Sequence, residues 1–348
     1  MASINAEAIT VENESAAMEL YYRKGWTDGL PVVPPTEERI QAMLDFVGMK
    51  KDTVIGSIPE RGRVFTAEAA AINAVMAGCL PDYFPVVVTA VSAMSDPDFG
   101  LHGPTASTAG AAILIIVNGP ISKTLAVNAG ENLFGPGNRA NATIGRAVRL
   151  LMINAGGSKE FDRATLGHPG KFTYCIAENE DTEWEPLHVE KGFAKEDSTV
   201  TVFAAEGPNQ MNNHASLQPE NILLTLADRM SGLGTFNMGG ETEMGVVICP
   251  EHYRDLNKQG WNKASVRRFL YEHAKRPLSD LKKGGYIEAP MEKQDEKTMV
   301  HAVPSPESIL LLTAGGEAGR FSACIPGWFG ANISRAVTKS ILTETGFT

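Results

Sequence analysis

Short apolar runs alternate along the chain with segments whose apolar residues recur at helical spacing. Four of the apolar runs are predicted strands, at residues 112–117, 198–205, 244–249 and 308–313, and the first of them is unbroken, as in a strand buried on both faces. Because strands and helical segments alternate, the pattern predicts an α/β fold of mixed or mostly parallel sheets flanked by helices, in two lobes. We expect an N-terminal α/β domain over residues 1–205 and a C-terminal α/β domain over residues 206–348.

Capping residues indicate where several helices begin and end. Thr36 is an N-cap candidate for the helix that follows it, while Gly25 and Gly78 are C-cap candidates. Helical spacing predicts further helices over residues 139–154, 219–230 and 263–275. A shorter strand is expected at 171–177.

The loop between the strand at 112–117 and the helix at 139–154 concentrates the candidate binding residues. Asn118, Lys123, Asn128, Arg139 and Asn141 carry amide or cationic side chains, and the glycines among them let backbone N–H groups turn inward. Because free N–H groups at a helix start favour an anion, we expect a carboxylate or phosphate near Arg139. Any single Asn is equally well explained as a turn residue. The loop lacks a Walker GK[ST] ending and a dinucleotide fingerprint.

Three further residues complete the predicted substrate-binding set. His102 precedes the strand that leads into this loop, although a histidine between glycines is also typical of an exposed turn. Gly315 and Gly316 follow the last apolar strand. Ligands of α/β proteins bind at the carboxyl ends of parallel strands, so these glycines are expected at the site.

Cys79, His188 and Asp28 are the catalytic candidates. Cys79 lies just before an apolar helix, a position that lowers a thiol pKa, although an inert buried cysteine fits equally well. His188 suits general acid or base catalysis, with Glu185 or Glu190 to orient it. Asp28 lies on a stiff, proline-rich segment that could hold its carboxylate at the edge of a site, and an Asp-Gly turn is the alternative.

An acidic run over residues 178–190 surrounds His188. Carboxylates with a histidine can bind a divalent ion, but neither HExxH nor HxH spacing occurs. A solvated acidic loop is therefore the favoured interpretation, with only residues 184–188 expected to be fixed.

Composition excludes several classes of protein. The 348 residues carry a net charge of −10, without a basic stretch that could neutralise phosphates, so nucleic acid and membranes are not expected partners. The N-terminus lacks a signal-peptide pattern, which favours the cytoplasm. The four cysteines form no CxxC pair and are expected to be reduced thiols.

Five segments resemble a largely uncharacterised bacterial family whose members are encoded near small UGSC- or CGSC-motif redox proteins. They are WTDGLPVVPPT (26–36), AVMAGCLPDYFPVV (74–87), FGPGNRANATIGRA (134–147), GHPGKFTYCIAENE (167–180) and WEPLHVEKGF (184–193). The resemblance covers nearly the whole chain. It implies thiol or selenol chemistry at a carbon–heteroatom bond, shared with a redox partner, and points to Asp28, Cys79, Arg139, Asn141 and His188. Cys324 lies outside the matched segments, and the chain has no UGSC motif of its own.

The leading hypothesis is a cytoplasmic, homo-oligomeric enzyme that cleaves a carbon–heteroatom bond in a small polar or anionic substrate, as a lyase or by thiol-dependent reduction. One alternative is a metal-dependent hydrolase or lyase with a divalent ion among His102, His168, His188 and the acidic run. Another is a non-catalytic subunit of a two-component redox enzyme. The cofactor is left unassigned because no flavin, nicotinamide or pyridoxal signature is present.

Overall fold

The computed structural model describes Ala6 and residues 8–240, 242–330 and 333–341. Its helices are α1 (Glu14–Lys24), α2 (Glu37–Val47), α3 (Ala67–Ala77), α4 (Phe84–Met94), α5 (His102–Ala106), α6 (Pro120–Thr124), α7 (Arg139–Asn154), α8 (Ser158–Phe161), α9 (Leu187–Glu190), α10 (Pro219–Met230), α11 (Asn237–Gly240), α12 (Pro250–Lys258), α13 (Lys263–His273) and α14 (Leu278–Lys283). Its strands are β1 (Val54–Ile58), β2 (Arg63–Thr66), β3 (Ala112–Asn118), β4 (Cys175–Ala177), β5 (Thr199–Ala205), β6 (Asn209–Asn212), β7 (Met244–Ile248), β8 (Lys275–Pro277), β9 (Met299–His301), β10 (Ile309–Thr313), β11 (Phe321–Pro326) and β12 (Val337–Ser340).

The predicted capping residues begin or end their helices as expected. The Thr36 hydroxyl accepts a hydrogen bond from the backbone N–H of Arg39 at the start of α2. Gly25 and Gly78 end α1 and α3 in the left-handed conformation, with φ of 63° and 92°. The strand expected at 171–177 is shorter, because a 3₁₀ turn at Pro169–Lys171 delays it to Cys175.

Two four-stranded mixed sheets form the centre of the protein, which confirms the α/β fold class. The first has the order β4-β3-β5-β12, with β3 parallel to β4 and antiparallel to β5. The second has the order β10-β7-β11-β6, with β7 parallel to β10 and antiparallel to β11. In each sheet the fourth strand is antiparallel to the third.

The chain builds the two sheets from two units with the same order of elements. The main elements of the first unit follow the order α4, β3, α6, α7, β4, β5, and those of the second the order α10, β7, α12, α13, β10, β11, with β8, α14 and β9 inserted before β10. After its last strand each unit crosses to the other sheet, so β6 follows β5 into the second sheet and β12 follows β11 into the first. Residues 206–348 thus supply all of the second sheet and also β12 of the first; a division into two lobes stays a prediction.

Apolar residues divide the molecule into helix, sheet, sheet and helix layers. On β3, Ile115 and Val117 belong to the core beneath α3, α4 and α7. The alternate residue Leu114 faces the other way and packs in one cluster with Leu310 and Leu312 of the second sheet. The outer face of the second sheet is covered by α10, α12 and α13. This alternation follows from the two-residue period of a strand. Among the described residues, no helix combines the length and apolar character needed to cross a bilayer.

Candidate active site

A cavity of about 300 Å³ lies where the parallel strands β3 and β4 end. Its walls are residues 122–123, 126–129, 138 and 177–181. The end of β10 borders the same region, because the Thr313 carbonyl accepts a hydrogen bond from the Asn179 N–H at 2.7 Å. The volume is at the lower end of the roughly 300–1,000 Å³ that is usual for small-molecule sites. A ligand there would meet the carboxyl ends of strands, as expected for an α/β protein.

Glu180 is a carboxylate of the cavity wall that β3 holds through one of its two oxygens. Its Oε1 accepts hydrogen bonds from the Asn118 side-chain amide at 2.9 Å and from the Gly119 N–H at 2.7 Å. Both donors lie at the end of β3, so the strand fixes the carboxylate. The second oxygen, Oε2, makes no hydrogen bond with the described part of the chain. It is therefore available to a ligand.

Glu178 lies deeper and has partners for both oxygens. Its Oε2 accepts from the Asn118 amide at 2.7 Å and from the Leu187 N–H at 2.8 Å. Its Oε1 accepts from the Lys263 ammonium at 3.1 Å. Since Glu178 and Lys263 are both almost fully buried, the ion pair is shielded from solvent.

An alternating series of charges continues from Lys263 away from the cavity. The Lys263 ammonium also contacts Glu190 at 3.1 Å, and Glu190 receives two hydrogen bonds from the Arg267 guanidinium at 2.6 and 2.9 Å. Burial alone would raise the pKa of Glu190, but Arg267 and Lys263 hold it below its ordinary value. Because Lys263 and Arg267 both belong to α13, the second unit supplies the cations behind a site built by the first.

His188 is fully buried beside Glu180. Its Nδ1 lies 3.9 Å from Glu180 Oε1, and its Nε2 lies 3.4 Å from the Lys195 carbonyl. The expectation that Glu185 or Glu190 orients this ring is wrong, because Glu190 pairs with α13 and Glu185 is exposed. His188 Nδ1 makes no hydrogen bond with the described residues. Unpaired buried polar atoms are rare in proteins and mark positions that need a functional explanation.

Side-chain amides hold the loop above the cavity. Asn141 on α7 accepts from the Asn128 N–H at 2.7 Å and donates to the Asn128 carbonyl at 3.1 Å. Asn138 caps α7 by accepting from the Asn141 N–H and donates to the Ala126 carbonyl at 2.8 Å. At the rim, Lys123 pairs with Asp181 at 2.7 Å, and both side chains are exposed. Asn128, Asn138 and Asn141 thus shape the loop, because their side-chain amides bind backbone groups.

Four of the predicted site residues come together here and a fifth supports them. Asn118, Lys123, Asn128 and His188 lie at or directly behind the cavity wall, and Asn141 anchors the loop. Arg139 does not line the cavity: it donates two hydrogen bonds to the Gly78 carbonyl. The expected anion site at the start of α7 therefore finds no support, because Arg139 and the cap are already occupied by the protein.

Cys79 lies apart from the cavity, within the core beneath α3 and α4. The expected low thiol pKa is wrong: burial raises the pKa of Cys79 to about 12, and a hydrogen bond from Thr143 and the charge of Arg139 only partly offset this. A one-turn 3₁₀ helix at Pro81–Tyr83 also separates Cys79 from α4. Like Cys79, the other three cysteines are buried.

Asp28 has a structural partner. Its carboxylate receives two hydrogen bonds of 2.8 Å from the Arg146 guanidinium on α7. Partial burial would raise the pKa of Asp28, but the Arg146 contact holds it below its ordinary value. Asp28 does not line the cavity, and the ion pair fastens the proline-rich segment to α7.

His102, Gly315 and Gly316 also have structural roles outside the cavity wall. The His102 ring accepts from Arg61 at 3.1 Å. The Gly315 N–H donates to the Ala129 carbonyl at 2.8 Å, and a Cβ on Gly316 would come within 2.9 Å of the Glu131 side chain. The glycines thus let β10 approach the site loop closely without lining the cavity.

The residues proposed for a metal have separate partners. His102 contacts Arg61, His168 contacts the Ala205 carbonyl and His188 lies beside Glu180. Within the described ranges, no group of three or more His, Cys, Asp or Glu side chains is arranged to hold a metal ion.

Sequence reasoning missed Glu178, Glu180 and Lys263. The acidic run was expected to be solvated, yet Glu178 is only 3% exposed and Glu180 is held by β3. A usable signal existed, because both glutamates directly follow a predicted strand. The expectation that residues 184–188 are fixed agrees with the structure: Trp184, Leu187 and His188 are buried.

No protein-family model matches this chain, and no curated protein matches it. The resemblance drawn from the five segments therefore stays a prediction. Functional inference rests on the cavity and its side chains.

Proposed function

We propose that the chain is an enzyme that binds a small polar molecule in the cavity and cleaves a carbon–heteroatom bond by elimination, with Glu180 as general base. The observation that carries the proposal is the position of Glu180. One oxygen is fixed by Asn118 and Gly119, and the other has no protein partner at the cavity wall. A general base needs this combination of a defined orientation and a free lone pair.

The proposed step balances as a β-elimination. Glu180 Oε2 takes a proton from the carbon next to the one that bears the heteroatom. The electron pair of that C–H bond becomes the new π bond, and the heteroatom group leaves with the pair of its former bond to carbon and takes a proton from water. The proton on Glu180 then returns to solvent.

His188 supports this role of Glu180. Its Nδ1 lies 3.9 Å from Glu180 Oε1 and makes no hydrogen bond with the described residues, so the ring packs directly beside the carboxylate. Because His188 is fully buried and does not line the cavity, we assign it as a positioning residue. The cytoplasmic location, a homo-oligomeric state and a small redox protein partner remain parts of this proposal.

A thiol-dependent version has less support. Cys79 does not line the cavity, and a thiol with a pKa of about 12 is protonated at neutral pH. A reductive reaction would therefore need its thiol or selenol from the partner. The elimination step uses the carboxylate present at the cavity wall and water, and it needs no thiol.

Deuterium exchange tests the proposal whatever the leaving group is. Short-chain hydroxy acids, amino acids and amino alcohols are incubated with the protein in D₂O, and deuterium on carbon is read by proton NMR. We expect exchange in at least one compound and a rate about 100-fold lower in Glu180→Gln. Glu185→Gln is the matched control, since Glu185 is exposed on the same segment and outside the cavity wall. Wild-type exchange in Glu180→Gln would refute the role of Glu180.

One surface observation favours the non-catalytic alternative. The Leu166 side chain is 94% exposed and Phe172, in the same connection before β4, is 47% exposed. Exposed large apolar side chains are typical of contact surfaces. If Leu166→Ser and Phe172→Ser abolished assembly with a second chain while no compound bound the cavity, the subunit hypothesis would replace the enzyme.

A further inference from the structure

Three fully buried side chains behind the cavity each have a polar atom without a partner. The atoms are Asn118 Oδ1, His188 Nδ1 and Thr199 Oγ1; none of them forms a hydrogen bond within the described ranges, and all three residues are 0% exposed. None of the three residues belongs to the cavity wall. Buried polar atoms that the protein leaves unpaired are rare, and ordered water molecules are their usual partners.

The first sheet brings these atoms together. β3 lies between β4 and β5, and Asn118 on β3 is directly opposite Thr199 on β5. Opposite residues of antiparallel strands project from the same face, with Cβ atoms about 4.5–5.5 Å apart. The Asn118 amide nitrogen donates to Glu178 and Glu180, so the planar amide directs Oδ1 away from these carboxylates. His188 Nδ1 lies 3.9 Å from the Glu180 oxygen that Asn118 binds. The unpaired atoms therefore surround one small space behind Glu180.

The three groups cannot satisfy one another. His188 Nε2 lies 3.4 Å from the Lys195 carbonyl, which only accepts, so in the neutral ring Nε2 carries the proton and Nδ1 is an acceptor. Asn118 Oδ1 is an acceptor too. The Thr199 hydroxyl has one proton and can serve only one of them. A water molecule donates two hydrogen bonds and also accepts, which matches two acceptors and a hydroxyl.

We propose that Asn118, His188 and Thr199 form a buried water-binding site behind Glu180. The water donates to Asn118 Oδ1 and His188 Nδ1 and accepts from the Thr199 hydroxyl. The inference goes beyond the proposed function, because the site does not depend on what the cavity binds. By holding Oδ1 of Asn118, the water keeps the amide nitrogen directed at the Glu180 carboxylate. Thr199 is thus a positioning residue for Glu180.

A crystal structure of the full chain tests the site directly. We expect a water molecule within about 3.2 Å of all three unpaired atoms. It should be lost in Thr199→Val, which removes the hydroxyl and keeps the shape of the side chain. Thr201→Val is the matched control and should retain the water, since Thr201 is equally buried on the same face of β5 but its hydroxyl binds Thr338 at 2.8 Å. Clear density for the three side chains without this water would overturn the proposal, and full occupancy in Thr199→Val would remove Thr199 from the site.

The ¹⁵N resonances of the His188 ring give an independent test in solution. A nitrogen that accepts a hydrogen bond resonates upfield of one with a free lone pair, so Nδ1 should be upfield in the wild type and in Thr201→Val and move downfield in Thr199→Val. The Gly119 amide should shift with it, because its N–H binds Glu180 Oε1. Nδ1 at the position of a free lone pair in the wild type would contradict the site. The two wild-type measurements decide the matter even if Thr199→Val does not fold.

Discussion

The surroundings of the carboxyl ends of the parallel strands differ between the two sheets. Where β3 and β4 end, a cavity of about 300 Å³ remains, and Glu180 Oε2 in its wall has no hydrogen-bond partner among the described residues. Where β7 and β10 end, polar side chains bind one another. We call this the closed end, and the end of β3 and β4 with the cavity the open end. Ser322 accepts from the Cys249 N–H at 3.1 Å and lies 2.8 Å from His252 Nδ1, and both Ser322 and His252 are buried.

The backbone framework of the two ends is nevertheless similar. In each unit a proline begins the helix after the first strand, and a serine near the start of the third strand accepts a hydrogen bond from that connection. Ser198 accepts from the Ile121 N–H at 3.1 Å, as Ser322 does from Cys249. The two units differ in the connection between their second and third strands. In the second unit, the Glu251 carboxylate accepts hydrogen bonds from the N–H groups of residues 319 and 320 in that connection. The framework recurs in both units, and the side chains at its two ends differ.

The largest effect on stability is expected from replacing Lys263, the cation that the second unit supplies behind the cavity. Lys263→Met leaves Glu178 buried without its ion-pair partner. Because an unpaired buried charge is very unfavourable, we expect the free energy of unfolding to fall by about 3–5 kcal/mol. Urea denaturation followed by circular dichroism measures the change.

Two further variants show whether charge is the cause. Lys258→Met, on the exposed face of α12, should change stability by less than about 0.5 kcal/mol. The double variant Glu178→Gln/Lys263→Met should be more stable than Lys263→Met alone, since the stranded charge is gone. If the double variant were the less stable of the two, packing of the lysine side chain would matter more than its charge.

A pair of serine substitutions compares the two ends directly. Ser322→Ala removes a partner from both Cys249 N–H and His252, inside the core, and should cost about 1–3 kcal/mol. Ser198→Ala removes one bond at a half-buried position and should cost about 0.5–1.5 kcal/mol. Thermal unfolding of both variants gives the order. Equal losses would mean that the closed end is no more dependent on its polar network than the open one.

Most of the fold could be predicted where burial leaves a pattern in the chain. The strands β3, β5, β7 and β10 are buried on both faces over nearly all of their length, and all four agree with the strands that the sequence predicts. The edge strands β6 and β12 have the sequences NQMN and VTKS, which contain no apolar run. Their places come from pairing with β11 and β5 across the molecule. That exchange depends on long-range contacts that local periodicity does not encode.

The candidate site was predictable in part for the same reason. Asn118 and Lys123 follow a recognisable strand, so their position at its carboxyl end could be inferred. Glu178 and Glu180 follow β4 in the same way, but their acidic neighbours suggested a solvated loop. Lys263 reaches the site from α13, and its pairing with Glu178 joins residues 85 positions apart. The local sequence around Lys263 does not indicate that Glu178 is its partner.

The smallest effect should appear at the closed end in acid. Partial loss of solvent would raise the pKa of Glu251, but the N–H groups of Arg320 and Gly319 and the charge of Arg320 hold it below its ordinary value. A carboxyl group with a lowered folded-state pKa stabilises the fold above its unfolded pKa of about 4.3, and the contribution is lost as pH falls through the folded value. We therefore expect the connection after β10 to loosen below about pH 4.

Amide exchange protection of Gly319 and Arg320, corrected for the intrinsic pH dependence, measures this loosening. Both should lose protection in acid, while Gly315, whose N–H donates to the Ala129 backbone carbonyl, should keep it. Glu251→Gln should make protection at Gly319 and Arg320 independent of pH in this range, because the side chain no longer titrates. Parallel loss at all three amides would instead indicate general acid unfolding, and the closed end would then owe its closure to the buried Ser322 and His252 rather than to the Glu251 carboxylate.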